Sequence, residues 1–170
     1  MNIIKFPGKE RVNSLNTLLE RAVILKKAEP DFKNIKKVFE SRIMSILLDS
    51  KKISSEHFLC GSYIARLLAD TCVNPPQSWL AVDFIQASSE EKDTLKRESI
   101  LRDGANTCFL ICSAFKGRAN FRLMGLKYYE ERGIGLFYSL YREAKRDIGL
   151  YMCRHYQQMA GITEKTLKTI

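Results

Sequence analysis

The chain has only two histidines, His57 and His155, among its 170 residues. The side chain most often used as a general base is therefore scarce. Also missing are Gly-x-x-x-x-Gly-Lys-Ser/Thr, Gly-x-Gly-x-x-Gly, Gly-x-Ser-x-Gly and His-Glu-x-x-His. Their absence removes the common sequence signals for phosphate cradling, dinucleotide binding, serine hydrolysis and zinc-peptidase chemistry. Glu90-Glu91 and Glu130-Glu131 are adjacent pairs, so the members of each point to different helix faces. Glu98-x-x-x-Arg102 and Asp83 read as solvated surface charge. No catalytic residue and no cofactor is expected.

Long apolar runs are missing too. The longest strongly apolar stretch, Phe109 to Phe115, is far too short to cross a bilayer. Residues Met1 to Lys9 carry no apolar core of signal-peptide length, and no Asn-x-Ser/Thr site occurs. Five cysteines, an odd number, argue against a disulfide framework, and they sit among apolar residues as buried free thiols do. Cys108 with Cys112, and His57 with Cys60, have same-face helical spacing. The short Cys-x-x-Cys knuckles of zinc sites are absent, so structural thiols are expected and no metal. These features point to a reducing, cytoplasmic setting without membrane association.

No segment alternates apolar and polar residues for more than four positions, the mark of a strand. Helical periods are present instead. After an extended arm over 1–8, ended by Pro7-Gly8, apolar stripes predict helices over 9–27 and from about Pro30 to Leu48. Further helices are expected over about 55–72, with Ser54 as N-cap, and over about 76–87. Ser88 with Glu91 fits a capping box opening the next helix, in which Gly104 marks a kink. Arg118 to about Arg132 and about 135–160 complete the set, divided at Gly133-Ile134-Gly135 and closed by Gly161. Residues 162–170 read as a frayed tail. The expectation is an all-α fold, one domain over 1–170, with about seven helices in irregular or orthogonal packing.

The net charge is +9, unevenly spread. Residues 1–60 hold 12 basic and 7 acidic groups, residues 61–103 hold 5 and 7, and residues 104–170 hold 11 and 5. Two basic ends flank a mildly acidic middle, a balance that admits acidic protein or nucleic acid as partner.

Arg132-Gly133-Ile134-Gly135-Leu136-Phe137 is echoed fourteen residues on by Arg146-Asp147-Ile148-Gly149-Leu150-Tyr151. On one continuous helix this spacing returns a residue to nearly the same face, about 40° off. The region also holds six of the seven tyrosines, interleaved with Arg118, Arg122, Arg132, Arg142, Arg146 and Arg154. Tyrosine anchors interfaces, and arginine pairs with carboxylate or phosphate. The expected working surface is thus the outer face of 128–156. Tyr138, Tyr141 and Tyr156 are its anchors, Arg142, Lys145, Arg146 and Arg154 its charge, and Gly149 its point of close approach. The expected function is non-enzymatic: a cytoplasmic adaptor or regulator that binds another protein or a second copy of itself. The alternative is a nucleic-acid-binding regulator using the same cations.

Overall fold

The computed structural model describes residues 32–76, 78–117 and 124–170. Among these residues there are six helices and no strand. They are α1 (Phe32–Leu48), α2 (Ser55–Val73), α3 (Ala81–Glu90), α4 (Thr94–Cys112), α5 (Leu126–Ala144) and α6 (Asp147–Lys168). The extended arm, the helix expected over 9–27, Pro30, Arg118 and Arg122 lie outside the described residues.

Apolar periodicity explains how the helices assemble. In α1, Ile35, Val38, Phe39, Ile43 and Leu47 form one buried stripe against α2. Helix α2 is buried over much of its circumference, through Cys60, Ile64, Ala65, Leu67, Leu68, Ala69 and Cys72. Helix α4 supplies the other centre, with Leu101, Ala105, Cys108, Phe109, Leu110 and Ile111 buried. It packs along α5 and carries α3 on its flank, while α6 lies against α5, α2 and α1. Trp79 meets Phe115 edge-on at 5.1 Å, and Phe109 meets Tyr156 at 5.3 Å. Such aromatic contacts add to simple area burial.

Several boundaries differ from expectation for local reasons. Ser88 and Ser89 lie inside the last turn of α3, where their hydroxyls donate back to the Ile85 and Gln86 carbonyls. The cap of α4 is Asp93 instead, whose carboxylate accepts the Leu95 and Lys96 backbone N–H groups at 2.9 and 3.0 Å. Gly104 does not end or divide α4; a side chain there would lie 2.6 Å from Phe84 Cβ, so the glycine admits α3. Helix α6 runs through Gly161 to Lys168, with Ile162, Thr163 and Thr166 buried, so the segment expected to fray is packed helix.

The largest difference concerns the echo. Helix α5 continues through Gly133 and Gly135, and the break comes at Lys145, in the left-handed region at φ 56 and ψ 36. The two copies therefore lie on different helices, and no repeated ridge forms. Gly133 packs against the Tyr156 hydroxyl, and Gly149 packs against the α5 backbone at Phe137 and Tyr141. Both are buried, whereas exposed Gly135 has no neighbour among the described residues within 4 Å of where its side chain would be.

Candidate interaction surface

The α5–α6 turn gathers most of the charge-bearing residues singled out in the sequence and sorts them into two groups. Arg146, at the N-cap of α6, binds Glu98 of α4 through both ends of its guanidinium, at 2.9 and 3.2 Å. Arg102 binds the same carboxylate from one turn along α4. Glu98 is thus a buried acid held between two arginines. Hydrogen bonding from Arg146 holds its carboxyl below the ordinary value, against the opposing effect of burial. Arg97 pairs with Glu143 at 2.9 Å and ties α4 to the end of α5. Arg154 pairs with Glu56 at 2.9 Å, beside His155. Arg146 and Arg154 are therefore committed to internal ion pairs.

Arg142 and Lys145 differ. Both are exposed, and among the described residues neither forms an ion pair. Next to them on α5, Tyr138 is 48% exposed and Tyr141 half-buried, with ring centroids 6.4 Å apart. Tyr156 departs from its expected place. It is 2% exposed and packs edge-on against Phe109 and Phe137, so it belongs to the core. Gly149 likewise faces α5 and not solvent, because the two helices cross closely there.

Across that crossing lies a feature the sequence did not reveal. A groove of about 510 Å³ runs between α1, α2 and the start of α6, lined by Leu59, Tyr63, Arg66, Ile148, Tyr151 and their neighbours. Leu59 is 53% exposed within it. Lys36 and Arg66 stand on its wall, with Asp147 the sole acid among the lining residues. Tyr63 is fixed from behind by its hydroxyl, which donates to Asn106 Oδ1 at 2.6 Å. The groove adjoins the tyrosine pair through Gly149, which touches Tyr141 and follows Ile148 directly. Leu59 and Arg66 are remote from the echo in sequence. Their only local signal was an apolar residue and a cation on a helix otherwise buried nearly all round.

The thiols play no part in this face. Burial pushes Cys60, Cys72 and Cys108 up to about 12 and Cys153 to about 11. Among the described residues, no three His, Cys, Asp or Glu side chains converge in a way that would hold a metal ion. No described helix is long and apolar enough to cross a membrane. Compared with known proteins, the chain matches no family model, no curated protein and no solved structure.

Proposed function

We propose that this is a non-enzymatic, cytoplasmic adaptor or regulator that binds a protein partner across the α5–α6 turn. The observation that carries this reading is the pairing of partly exposed Tyr138 and Tyr141 with exposed Arg142 and Lys145, which form no ion pair among the described residues, beside the Leu59 groove. Aromatic anchors next to a pocket, with cations at the edge, are the ingredients of a binding hot spot. The groove takes an apolar side chain between Leu59, Ile148 and Tyr151. Arg142 and Lys145 then meet carboxylates on the partner and select an acidic one. The nucleic-acid alternative is the weaker reading, because Arg146 and Arg154 are occupied by Glu98 and Glu56.

Site-specific photocrosslinking tests the proposal. A photoreactive residue at Tyr138 and another at Leu59 should capture the same protein, which is a second copy of the chain if the interaction is with itself. A probe at exposed Leu95 serves as the control. Arg142→Glu with Lys145→Glu should abolish capture. Equal capture from Leu95, or capture indifferent to the charge reversal, would refute the assignment. A mobility-shift assay on mixed DNA and RNA at two salt concentrations separates the alternative, whose phosphate contacts weaken steeply with salt.

A further inference from the structure

The end of α5 remote from the tyrosine pair borders a pocket of about 250 Å³, set between the end of α4, the first turns of α5 and the second half of α6. Cys112, Leu126, Ala160 and Gly161 make its apolar wall, and Lys116 and Glu130 are the charged residues of its lining. Lys116 pairs with Glu164 at 3.7 Å, and Glu130 accepts a hydrogen bond from Gln157. A molecule of liquid water takes up about 30 Å³, so the space holds a compound of about eight heavy atoms. Cys112 is half-buried, and its Sγ reaches the Leu126 carbonyl at 3.8 Å. Cys60, Cys72 and Cys108, by contrast, are buried.

A second, independent feature faces the same space. Tyr156 lines the pocket and is 2% exposed, and among the described residues its hydroxyl has no hydrogen-bond partner. The buried hydroxyls of Thr71, Ser113, Thr163 and Thr166 each donate to the carbonyl four residues back, at 2.7 to 2.9 Å, and Tyr63 donates to Asn106. An unpaired buried donor is costly, and an acceptor oxygen entering the pocket would offset that cost. Phe109 and Phe137 hold the Tyr156 ring edge-on, and the missing side chain of Gly133 gives its hydroxyl room. Burial raises the phenol well above its ordinary value, and Cys112, Cys108 and Glu130 add to the shift. The group therefore stays a neutral O–H donor near neutral pH. Cys112 and Glu130 both line the pocket, so the hydroxyl end of the ring is the end turned toward it.

A thiol and an unpaired donor on the walls of one small, largely apolar space suit a compact carbonyl compound with an electrophilic carbon. We propose that Cys112 is a modification site for small α,β-unsaturated aldehydes and ketones. The carbonyl oxygen of the compound accepts the Tyr156 hydroxyl, and its β-carbon meets Cys112 Sγ. The Sγ–carbon bond forms as the carbon–carbon π bond breaks. The displaced electrons move onto the carbonyl oxygen as an enolate, which the Tyr156 hydrogen bond stabilises. The thiol proton passes through solvent to the α-carbon and leaves a thioether, with no oxidant or further reactant consumed. The site is separate from the tyrosine face and does not depend on the function proposed for that face.

Timed reaction of the full chain with excess methyl vinyl ketone, followed by peptide mass spectrometry, tests this. Cys112 should be the first of the five cysteines to gain the adduct. Tyr156→Phe removes an oxygen that has no partner, so the variant should be at least as stable to urea as the parent. It should slow the ketone at Cys112 by about fivefold, the size of one hydrogen bond, and leave alkylation by iodomethane, which has no acceptor oxygen, within about twofold. Gly161→Leu puts a side chain into the pocket from a helical position with no described residue near its Cβ, and should slow both reagents. The proposal is overturned if another cysteine reacts first, or if Tyr156→Phe lowers the urea midpoint. It is overturned equally if Tyr156→Phe slows both reagents alike or neither, or if Gly161→Leu reacts as the parent does.

Discussion

Gly149 at the start of α6 lies so close to α5 that a Cβ there would sit 2.4 Å from the carbonyl oxygen of Phe137. The amide nitrogen of Tyr141 would be 2.9 Å away. Both neighbours are backbone within a helix, and neither can turn aside as a side chain would. This crossing sets the α5–α6 angle and with it the distance from the tyrosine pair to the Leu59 groove.

Gly149→Ala should accordingly destabilise the protein by about 2–3 kcal/mol, the cost of overpacking a site that cannot relax. Gly135, its counterpart in the echo, is exposed in the middle of α5, with no described residue near the place of its Cβ. Gly135→Ala should stabilise by about 0.5–1 kcal/mol, because glycine in a helix interior loses the most conformational freedom on folding. Urea denaturation of the two variants checks both signs. Equal effects at the two positions would contradict the geometry.

Lys145 is the one non-glycine residue with positive φ among the described residues. A side chain in this conformation costs about 1 kcal/mol or somewhat more, and glycine is the residue that commonly ends a helix this way. Lys145→Gly should raise the urea midpoint by the equivalent of about 1 kcal/mol. If Lys145 belongs to the partner surface, the same variant should bind the captured partner more weakly. Stability gained and binding lost in one substitution would explain a lysine where glycine fits better. A variant that loses stability would show that the left-handed turn carries no strain.

The helices were legible because each has an apolar stripe long enough to outweigh chance; α1 and α2 fall within a residue or two of where the stripes place them. The break between α5 and α6 was not legible. Gly133 and Gly135 carry the usual signs of a helix end, and Lys145 carries none. Tertiary packing decides the matter: Gly133 receives the Tyr156 ring and so is needed inside a helix. The Tyr/Arg surface was legible only in composition. Tyr138 and Tyr156 look alike in sequence, but one faces solvent and the other Phe109. The commitment of Arg146 depends on Glu98, 48 residues away.

The thiols offer a check on the core itself. Cys60, Cys72 and Cys108 are buried and pushed up to about 12 by loss of hydration, so they remain protonated near neutral pH. The folded protein at mildly alkaline pH should leave these three unmodified by an aromatic disulfide reagent, while all five cysteines react in denaturant. Mass spectrometry of the labelled sites assigns them. Rapid modification of Cys108 in the folded state would show that the α4–α5 core opens readily.

His57 and His155 stack with ring centroids 4.0 Å apart, one on α2 and one on α6, and Glu56 is the acid bonded to His155. His57 Nδ1 accepts the Ser54 backbone N–H at 3.1 Å, which leaves Nε2–H to donate to Gln158 at 2.8 Å. Glu56 meets His155 at 2.7 Å and Arg154 at 2.9 Å. The His155 hydrogen bond holds its carboxyl below the ordinary value, with partial burial opposing and the Arg154 charge adding to it. A carboxyl depressed in the folded state contributes stability above its unfolded value, about 4.3, and that contribution is lost as pH falls through the folded value. The parent should thus exceed Glu56→Gln in stability at about pH 6, and the difference should shrink toward zero as pH falls below about 4. Urea midpoints measured across this range test the claim. A gap between the two proteins that stays constant down to acid pH would mean that Glu56 acts by shape alone and that its charge does not join α2 to α6.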